Sequence, residues 1–271
     1  MTQILFLGKN PRGRHALRHL GASPDSGSAE DPDLVIDATA ARVVDAFTGA
    51  VTMADVEDHL GKPGRRRSVT VTPPEGGEVH GRFYWMMSLP PQGCRVEHSN
   101  PTAPVRDPRV LLPAVRVRSV YQADTLALFL RASSQRADLG DARLEPRQAG
   151  LFANALPDLV DNGLRHAPDS SCGVIVCAAL ESDSREAQLV VTDLGPAISG
   201  KAALKALREA WGRSRAELGS LHFLTERASR LGLDVSVQIR TGNAQGRWRR
   251  RWHSDDADFT PGWTVGVTIH R

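Results

Sequence analysis

The chain has 271 residues, of which 41% are hydrophobic and 24% are charged, values typical of a folded globular protein. This composition excludes a wholly disordered or fibrous protein, and the apolar runs are shorter than the roughly 20 residues that cross a bilayer. A net charge of +3 is too small to indicate nucleic-acid binding by itself. The first residues are apolar and the basic residues follow them, the reverse of a secretory signal. We therefore expect a cytoplasmic protein that does not associate with membranes.

The first half of the chain alternates short strands with helices. Strands are predicted at 3–7, 33–39 and 67–72, and helices within 40–60 and at 76–88. This alternation predicts a small α/β domain over residues 1–89. The proline-rich stretch 90–114 has little periodicity and predicts a linker between two domains.

The second half, residues 115–271, has a different order of elements. Helices are predicted at 117–136, 145–166 and 220–231, and strands at 173–180, 187–193, 233–240 and 263–269. That order predicts a helical layer on a mixed sheet, so the fold class is α/β (α+β). The three cysteines, Cys94, Cys172 and Cys177, have neither metal-finger nor disulfide spacing and are expected to be reduced core residues.

The segment ALPDLVDNGLRHAPDS (155–170) places polar residues inside an otherwise apolar helix. Asp158, Asn162 and His166 are spaced by four residues, so they line one helix face and can point together at a ligand. A carboxylate and a carboxamide one turn apart supply oxygen ligands for Mg²⁺ and a base for activating water. The alternative interpretation is a solvated polar face near the helix C-terminus.

Two further segments carry polar groups at the ends of elements. The strand VVTD ends in Asp193, and Gly195-Pro196 breaks the chain after it. An acid there can accept a hydrogen bond from an amino group while the backbone stays open to a flat ring, although Asp is also an ordinary turn former. Gly219 and Ser220 open the next helix, where free N–H groups bind phosphate or where the serine simply caps the helix.

In this order the segments resemble the GHKL family of Bergerat-fold ATP-binding domains, which includes histidine kinases, anti-sigma kinases, gyrase B and MutL. The family motif E-L-x-x-N-A-x-x-H is similar to D-L-V-D-N-G-L-R-H at 158–166. The motif D-x-G-x-G is similar to D-L-G-P-A at 193–197, and G-T-x-F to G-W-T-V at 262–265. The resemblance covers about residues 115–271 and implies a Bergerat-fold α/β sandwich that binds ATP or ADP with Mg²⁺.

The resemblance also implies roles for individual residues. Asn162 would hold Mg²⁺ against the triphosphate, Asp193 would bind the adenine amino group, and Gly195 would let the backbone approach the base. Gly219 and Ser220 would meet the phosphates, and the segment 196–218 would form a lid over them. The implied nucleotide-binding set is Asn162, His166, Asp193, Gly195, Gly219, Ser220 and Thr264.

Several positions depart from the family pattern. Asp158 stands where the family has a glutamate base, and its shorter side chain weakens the expected hydrolysis because small displacements of a base are costly. Ala197 replaces the second glycine of its motif. Trp263 stands where an adenine-contacting threonine is expected, and Thr264 would take that role one position later. Nucleotide binding is therefore expected to be better preserved than turnover, and ATPase or protein-serine/threonine kinase activity stays open.

The first half is weakly similar to STAS-type regulatory domains, which have a strand, a short turn and then a helix. Thr48-Gly49 stands about where those domains carry a phosphorylatable serine before glycine, and the alternative is a threonine that caps a helix. Fusion of such a domain to an ATP-binding domain would give a self-contained version of the anti-sigma kinase and antagonist pair.

The segment R-W-R-R-R-W-H at 247–253 combines strong positive charge with two tryptophans. Such segments bind single-stranded nucleic acid by stacking and phosphate contact, but its position between two predicted strands favours an extended hairpin that docks a protein.

The leading hypothesis is a cytoplasmic bacterial regulator in which ATP occupancy changes the binding of a partner of the sigma-factor or antagonist type. A homodimer is left open, and nucleic acid is not the expected partner. The alternative is a degenerate domain that binds no nucleotide and uses this arm to bind protein or nucleic acid.

Overall fold

The computed structural model describes residues 3–7, 34–61, 67–97, 107–135, 143–166, 173–181, 186–194, 202, 205, 219–249 and 252–270. In that part of the chain, no helix is both long enough and apolar enough to cross a bilayer. The elements are a parallel sheet, an antiparallel sheet and two sets of helices. The α/β class predicted from the sequence is confirmed.

The first half forms a parallel sheet whose strands lie in chain order, β1 to β4. Helix α1 connects β2 to β3, and helix α2 connects β3 to β4, as parallel pairing requires. The predicted elements of this half are confirmed within a few residues. Their bounds are β1 Gln3–Phe6, β2 Leu34–Asp37, α1 Ala46–Gly61, β3 Val69–Thr72, α2 Gly77–Met86 and β4 Cys94–Val96.

The second half forms a five-stranded sheet in the order β5-β6-β7-β9-β8. Each described pairing is antiparallel, whereas a mixed sheet was expected. The reason is that β6 with β7 and β8 with β9 are adjacent antiparallel pairs joined by short connections. The bounds are β5 Val110–Val117, α3 Val120–Ser133, α4 Pro146–His166, β6 Val174–Leu180, β7 Ala187–Asp193, α5 Gly219–Arg230, β8 Asp234–Trp248 and β9 Trp252–His270.

Local signals begin the two helices that precede β6. The Ser119 hydroxyl accepts a hydrogen bond from the backbone N–H of Gln122 and so caps α3. Helix α4 begins with Pro146 at its first position, where the missing N–H costs nothing. Gln148 accepts from the backbone N–H of Glu145, which satisfies one more donor at this end.

Helix α1 joins the two halves through a shared core. It lies against β3 on one side and against β5, β6, β7 and β9 on the other. Phe47 lies so close to Gly266 of β9 that a Cβ there would come within 2.0 Å of its ring. The guanidinium of buried Arg240 lies 5.0 Å from the centre of the same ring. The five-stranded sheet is therefore covered by α1 on one face and by α3, α4 and α5 on the other.

Part of the stretch expected as a linker, 90–114, is regular structure. Strand β4 and the first residues of β5 fall inside it. Pro113 interrupts the apolar pattern, and the pairing of β5 with β6 shifts register between Leu112 and Val115. Proline is tolerated here because β5 is an edge strand with an irregular ladder. The domain division at 90–114 stays a prediction.

Candidate functional site

Helix α4 crosses directly over the ends of two central strands. A Cβ added at Gly163 would lie 2.7 Å from Cγ1 of Val174 and 4.0 Å from Cβ of Asp193. Only glycine allows this approach without a shift of the neighbours. The helix segment that carries Asn162 is thus brought to the same end of the sheet as Asp193, although 31 positions separate them in the chain.

Asp193 is the last residue of β7, and its side chain is buried and hydrogen-bonded. It is 5% exposed, and its Oδ1 accepts a hydrogen bond of 2.9 Å from the backbone N–H of Trp263. The ladder pairs Thr192 with Thr264, so Asp193 and Trp263 lie opposite each other at the next position. Both face the α4 side of the sheet, because side chains alternate along a strand and Val191 and Val265 pack into the α4-side core.

Thr264 does not join this group. It is fully buried, and its Oγ1 lies 3.2 Å from Oγ1 of Thr192. It shares the face of Gly266, which contacts Phe47 of α1, and that face is opposite to the one that carries Asp193. Thr264 therefore lies on the face of β9 opposite to Asp193, since one position along a strand reverses the face, and its expected contact with adenine gains no support from this arrangement. Trp263 is the residue of β9 that lies beside Asp193.

Asp158 lies on α4 at the wall of a cavity of about 220 Å³ between α4 and α5. The cavity is smaller than the roughly 300 to 1,000 Å³ of pockets that enclose whole ligands. Its lining combines apolar side chains with an amide, a carboxylate and a guanidinium. The lining residues are Leu151, Asn154, Ala155, Asp158, Phe223, Leu224 and Arg227.

Two effects raise the pKa of the Asp158 carboxyl above its ordinary value. Partial burial against the cavity wall is the larger, and the nearby negative charge of Asp161 is the smaller. A raised pKa makes the carboxylate a better proton acceptor, as a general base requires. Asp161 itself forms an ion pair with Arg165 on the solvent side of the helix.

The remaining predicted site residues are described only in part. Gly195 and nearly all of the segment 196–218 lie outside the described residues. His166 is the last residue of α4 and Gly219 and Ser220 open α5, as predicted, but only their backbone is described. Within the described residues, no group of three His, Cys, Asp or Glu side chains lies close enough together to hold a metal ion.

Thr48 lies in the first turn of α1 and is hydrogen-bonded to Asp45, the residue that caps the helix. Its side chain is fully buried, and both its backbone N–H and its hydroxyl donate to Oδ1 of Asp45, each at 2.8 Å. Asp45 directly precedes α1, so this pair satisfies donors of the first helical turn. Gly49 follows at a close approach to Cys177 and Met86. A buried hydroxyl in such contacts is not accessible to a phosphoryl donor, and the capping interpretation is favoured.

The basic arm 247–253 folds back toward the start of β8. Gln245 contacts Gln238, and Arg249 forms an ion pair of 2.7 Å with Asp234. Trp248 packs against the core that contains α4. Trp248 and Arg249 thus make contacts within the molecule, whereas Arg247 and His253 of the arm are exposed.

The sequence did not indicate one further cluster, on the α1 side of β8 and β9. Ser236 Oγ lies 3.0 Å from Nε2 of His270, and Nδ1 of His270 lies 2.7 Å from Oε1 of Glu186. The three residues are linked in the order serine, histidine and acid, as in the catalytic triads of hydrolases. Ser236 is 3% exposed, however, and the described cavity is on the opposite face of the sheet. We interpret the cluster as structural hydrogen bonds that join β8 and β9 to Glu186, the residue before β7.

Comparison with known proteins gave no match to a family model, to a curated protein or to a solved structure.

Proposed function

We propose that this protein is a cytoplasmic ATP-binding regulator of the histidine-kinase-like class. In this proposal the nucleotide base lies at the end of β7 beside Asp193 and Trp263. The triphosphate extends along α4 past Asn162 toward Asp158 and the start of α5. Occupancy of the site would change the binding of a regulatory protein partner.

One observation supports the proposal more than the others. Gly163 allows α4 to lie directly over the end of β7, so that two motifs identified separately in the sequence meet at one end of the sheet. Asn162 precedes Gly163 in the chain, so it lies one residue from this approach of the helix to Asp193. Convergent polar groups beside an apolar wall are the usual pattern of a ligand site.

The residues present fit an adenine nucleotide at the base end. Asp193 is nearly buried, and its Oδ1 is fixed by the Trp263 N–H, so the carboxylate cannot rotate freely. A fixed carboxylate is an acceptor for an exocyclic amino group, which adenine has at its edge. Asn162 would complete the coordination of Mg²⁺ together with phosphate oxygens and water, as Mg²⁺ usually requires.

Bound ATP with Mg²⁺ would supply a transferable phosphoryl group. The chain would contribute Asp158 as the proton acceptor, and its raised pKa favours that role. Arg227 lines the same cavity and would contribute positive charge near the phosphates. Because aspartate is shorter than the glutamate it replaces, we expect binding to exceed turnover, and steady phosphate release would be abolished by Asp158→Asn.

Calorimetric titration with ATP, with and without Mg²⁺, tests the proposal. The decisive variant is Asp193→Asn, because an asparagine oxygen can still accept from the Trp263 N–H while its NH₂ group cannot accept from adenine. We expect it to remove most of the affinity, and Asn162→Ala to remove the part that depends on Mg²⁺. Asp161→Asn, the same exchange on the solvent side of α4, is the matched control and should bind like the wild type. Absence of binding by folded wild-type protein would refute the proposal and favour the interaction module.

A further inference from the structure

Helix α3 exposes an apolar stripe on its outer face. Tyr121 and Leu128 are 80% and 65% exposed, and Phe129 beside them is 44% exposed. Because successive residues turn by about 100°, Tyr121, Thr125, Leu128 and Ala132 lie along one line of the helix. Large apolar side chains grouped in this way on a surface usually mark an interaction site.

The stripe is not needed for the core of its own molecule. The opposite face of α3 carries Ala123, Ala127 and Leu130, all buried against α4 and β5. The helix therefore has two apolar faces, one packed and one exposed. A polar outer face would be expected of a helix that has only water beside it.

Charges beside the stripe are arranged for pairing with a second copy. Asp124 and Arg131 lie on the same flank, seven residues apart, and both are exposed. In an antiparallel pair of identical helices, equal flanks face each other, so Asp124 of each copy would lie beside Arg131 of the other. The two-fold axis that pairs these charges passes level with positions 127 and 128, so Leu128 of both copies would lie near the centre. Each Tyr121 would lie beside the last turn of its partner's α3, which carries the small Ala132.

We propose that a second copy of this chain covers the outer face of α3, through an antiparallel, two-fold contact between the two α3 helices. Such an interface is self-complementary, as a two-fold contact must be. Its centre is apolar and one flank carries two reciprocal ion pairs, an arrangement typical of a specific interface. The contact does not involve the residues of the nucleotide site, so it does not depend on the proposed function.

Sedimentation equilibrium of the full chain over a wide range of protein concentration tests this interface. The wild type is expected to approach twice the chain mass of 29.4 kDa. Leu128→Glu should sediment as a monomer with an unchanged far-ultraviolet circular dichroism spectrum, because the side chain is exposed within one molecule. A monomeric wild type at the highest concentration, or a dimer that Leu128→Glu leaves intact, would overturn the proposal.

A charge exchange tests the antiparallel arrangement. Asp124→Arg and Arg131→Asp should each raise the dissociation constant by about tenfold or more, because each places like charges together. The double variant should return close to the wild-type value. Arg131 also donates to Oδ1 of Asn154 in its own molecule, so Asn154→Ala serves as the control for loss of that bond. Additive weakening in the double variant would exclude this arrangement.

Discussion

Replacement of Gly163 by alanine tests whether α4 lies on the strand ends as described. Alanine is favoured over glycine inside a helix by about 1 kcal/mol, so a glycine in free space should gain stability on substitution. At Gly163 the new methyl group would lie 2.7 Å from Cγ1 of Val174, which is closer than carbon atoms can approach. Valine is stiff about its first torsion and cannot move aside at no cost.

The helix supplies its own control, because Gly150 is also in α4 and a Cβ there would meet nothing within 4 Å. We expect Gly150→Ala to stabilise the protein by about 1 kcal/mol. Overpacking costs about 1 to 3 kcal/mol, so Gly163→Ala should destabilise by up to about 2 kcal/mol after the same gain in helix propensity is subtracted. The difference between the two variants, about 1 to 3 kcal/mol, isolates the contact with Val174.

Urea unfolding followed by circular dichroism measures this difference, with the same slope used for both variants. A second substitution, Val174→Ala, should remove the clash and make the effects of Gly163→Ala and Gly150→Ala nearly equal. If Gly163→Ala stabilised the wild-type protein as much as Gly150→Ala does, α4 would not lie on β6 and β7 as described. The proposed convergence of Asn162 and Asp193 would then lose its basis.

Three other properties follow from described contacts. Phe47→Ala should lower the free energy of unfolding by about 3 to 5 kcal/mol in chemical denaturation. The reason is that this ring fills the space over Gly266 and contacts the guanidinium of Arg240. A loss below about 1 kcal/mol would contradict a core shared by α1 and the five-stranded sheet. Asp158→Asn should raise the free energy of unfolding at neutral pH by no more than about 0.5 kcal/mol in chemical denaturation, because the folded state disfavours the charged carboxylate and solvent screens this exposed group. Because the pKa of Asp158 is raised in the folded state, the wild type gains stability as the pH falls through that pKa. The difference in the free energy of unfolding between the wild type and Asp158→Asn should therefore vanish in acid. A difference that grew in acid would contradict the raised pKa. Burial and the charge of Glu57 raise the pKa of the Cys94 thiol to about 12. The smaller thiolate fraction is partly offset by the higher nucleophilicity of a more basic thiolate, so alkylation by iodoacetamide should be about thirtyfold slower than that of an ordinary thiol. Rapid alkylation of the folded protein would refute it.

The sequence predicted best those elements whose periodicity and end signals agree. Helix α4 begins beside Glu145 and Pro146 and ends at His166, close to its predicted bounds. Strand β6 is a continuous apolar run and β7 has three consecutive apolar residues in its middle, and both were found within one residue. In these segments local propensity and the final burial favour the same structure.

Two features that the sequence did not predict, strand β5 and the burial of helix α1, depend on contacts between residues that are distant in the chain. Pro113 concealed β5, because proline is tolerated there only at an irregular position of an edge strand. Helix α1 was predicted only as a helix within 40–60, whereas residues 46–54 are all buried, as expected of a helix covered on two sides. That covering comes from a sheet more than 50 residues further along the chain, which no local pattern can indicate.

In the candidate site, too, local patterns indicated some residues, whereas the face on which a residue lies depended on the sheet. Asp158, Asn162 and Asp193 were identified from spacing and from the end of a strand, both of which are local features. The expected role of Thr264 came from comparing the motif by position, which does not show that Thr264 and Asp193 lie on opposite faces of the sheet. Alternation of Val265, Val267 and Ile269 into the α4-side core indicates which face Trp263 shares.

Photolabelling with 8-azido-ATP tests the location of the base most directly, because the azide reacts with residues that touch the adenine ring. We predict that the label is found in peptides that contain Trp263 or the segment from Asn162 to Asp193, that excess ATP prevents labelling, and that Asp193→Asn loses it. Label confined to the 247–253 arm, or label that excess ATP does not reduce, would contradict a nucleotide site at the end of β7.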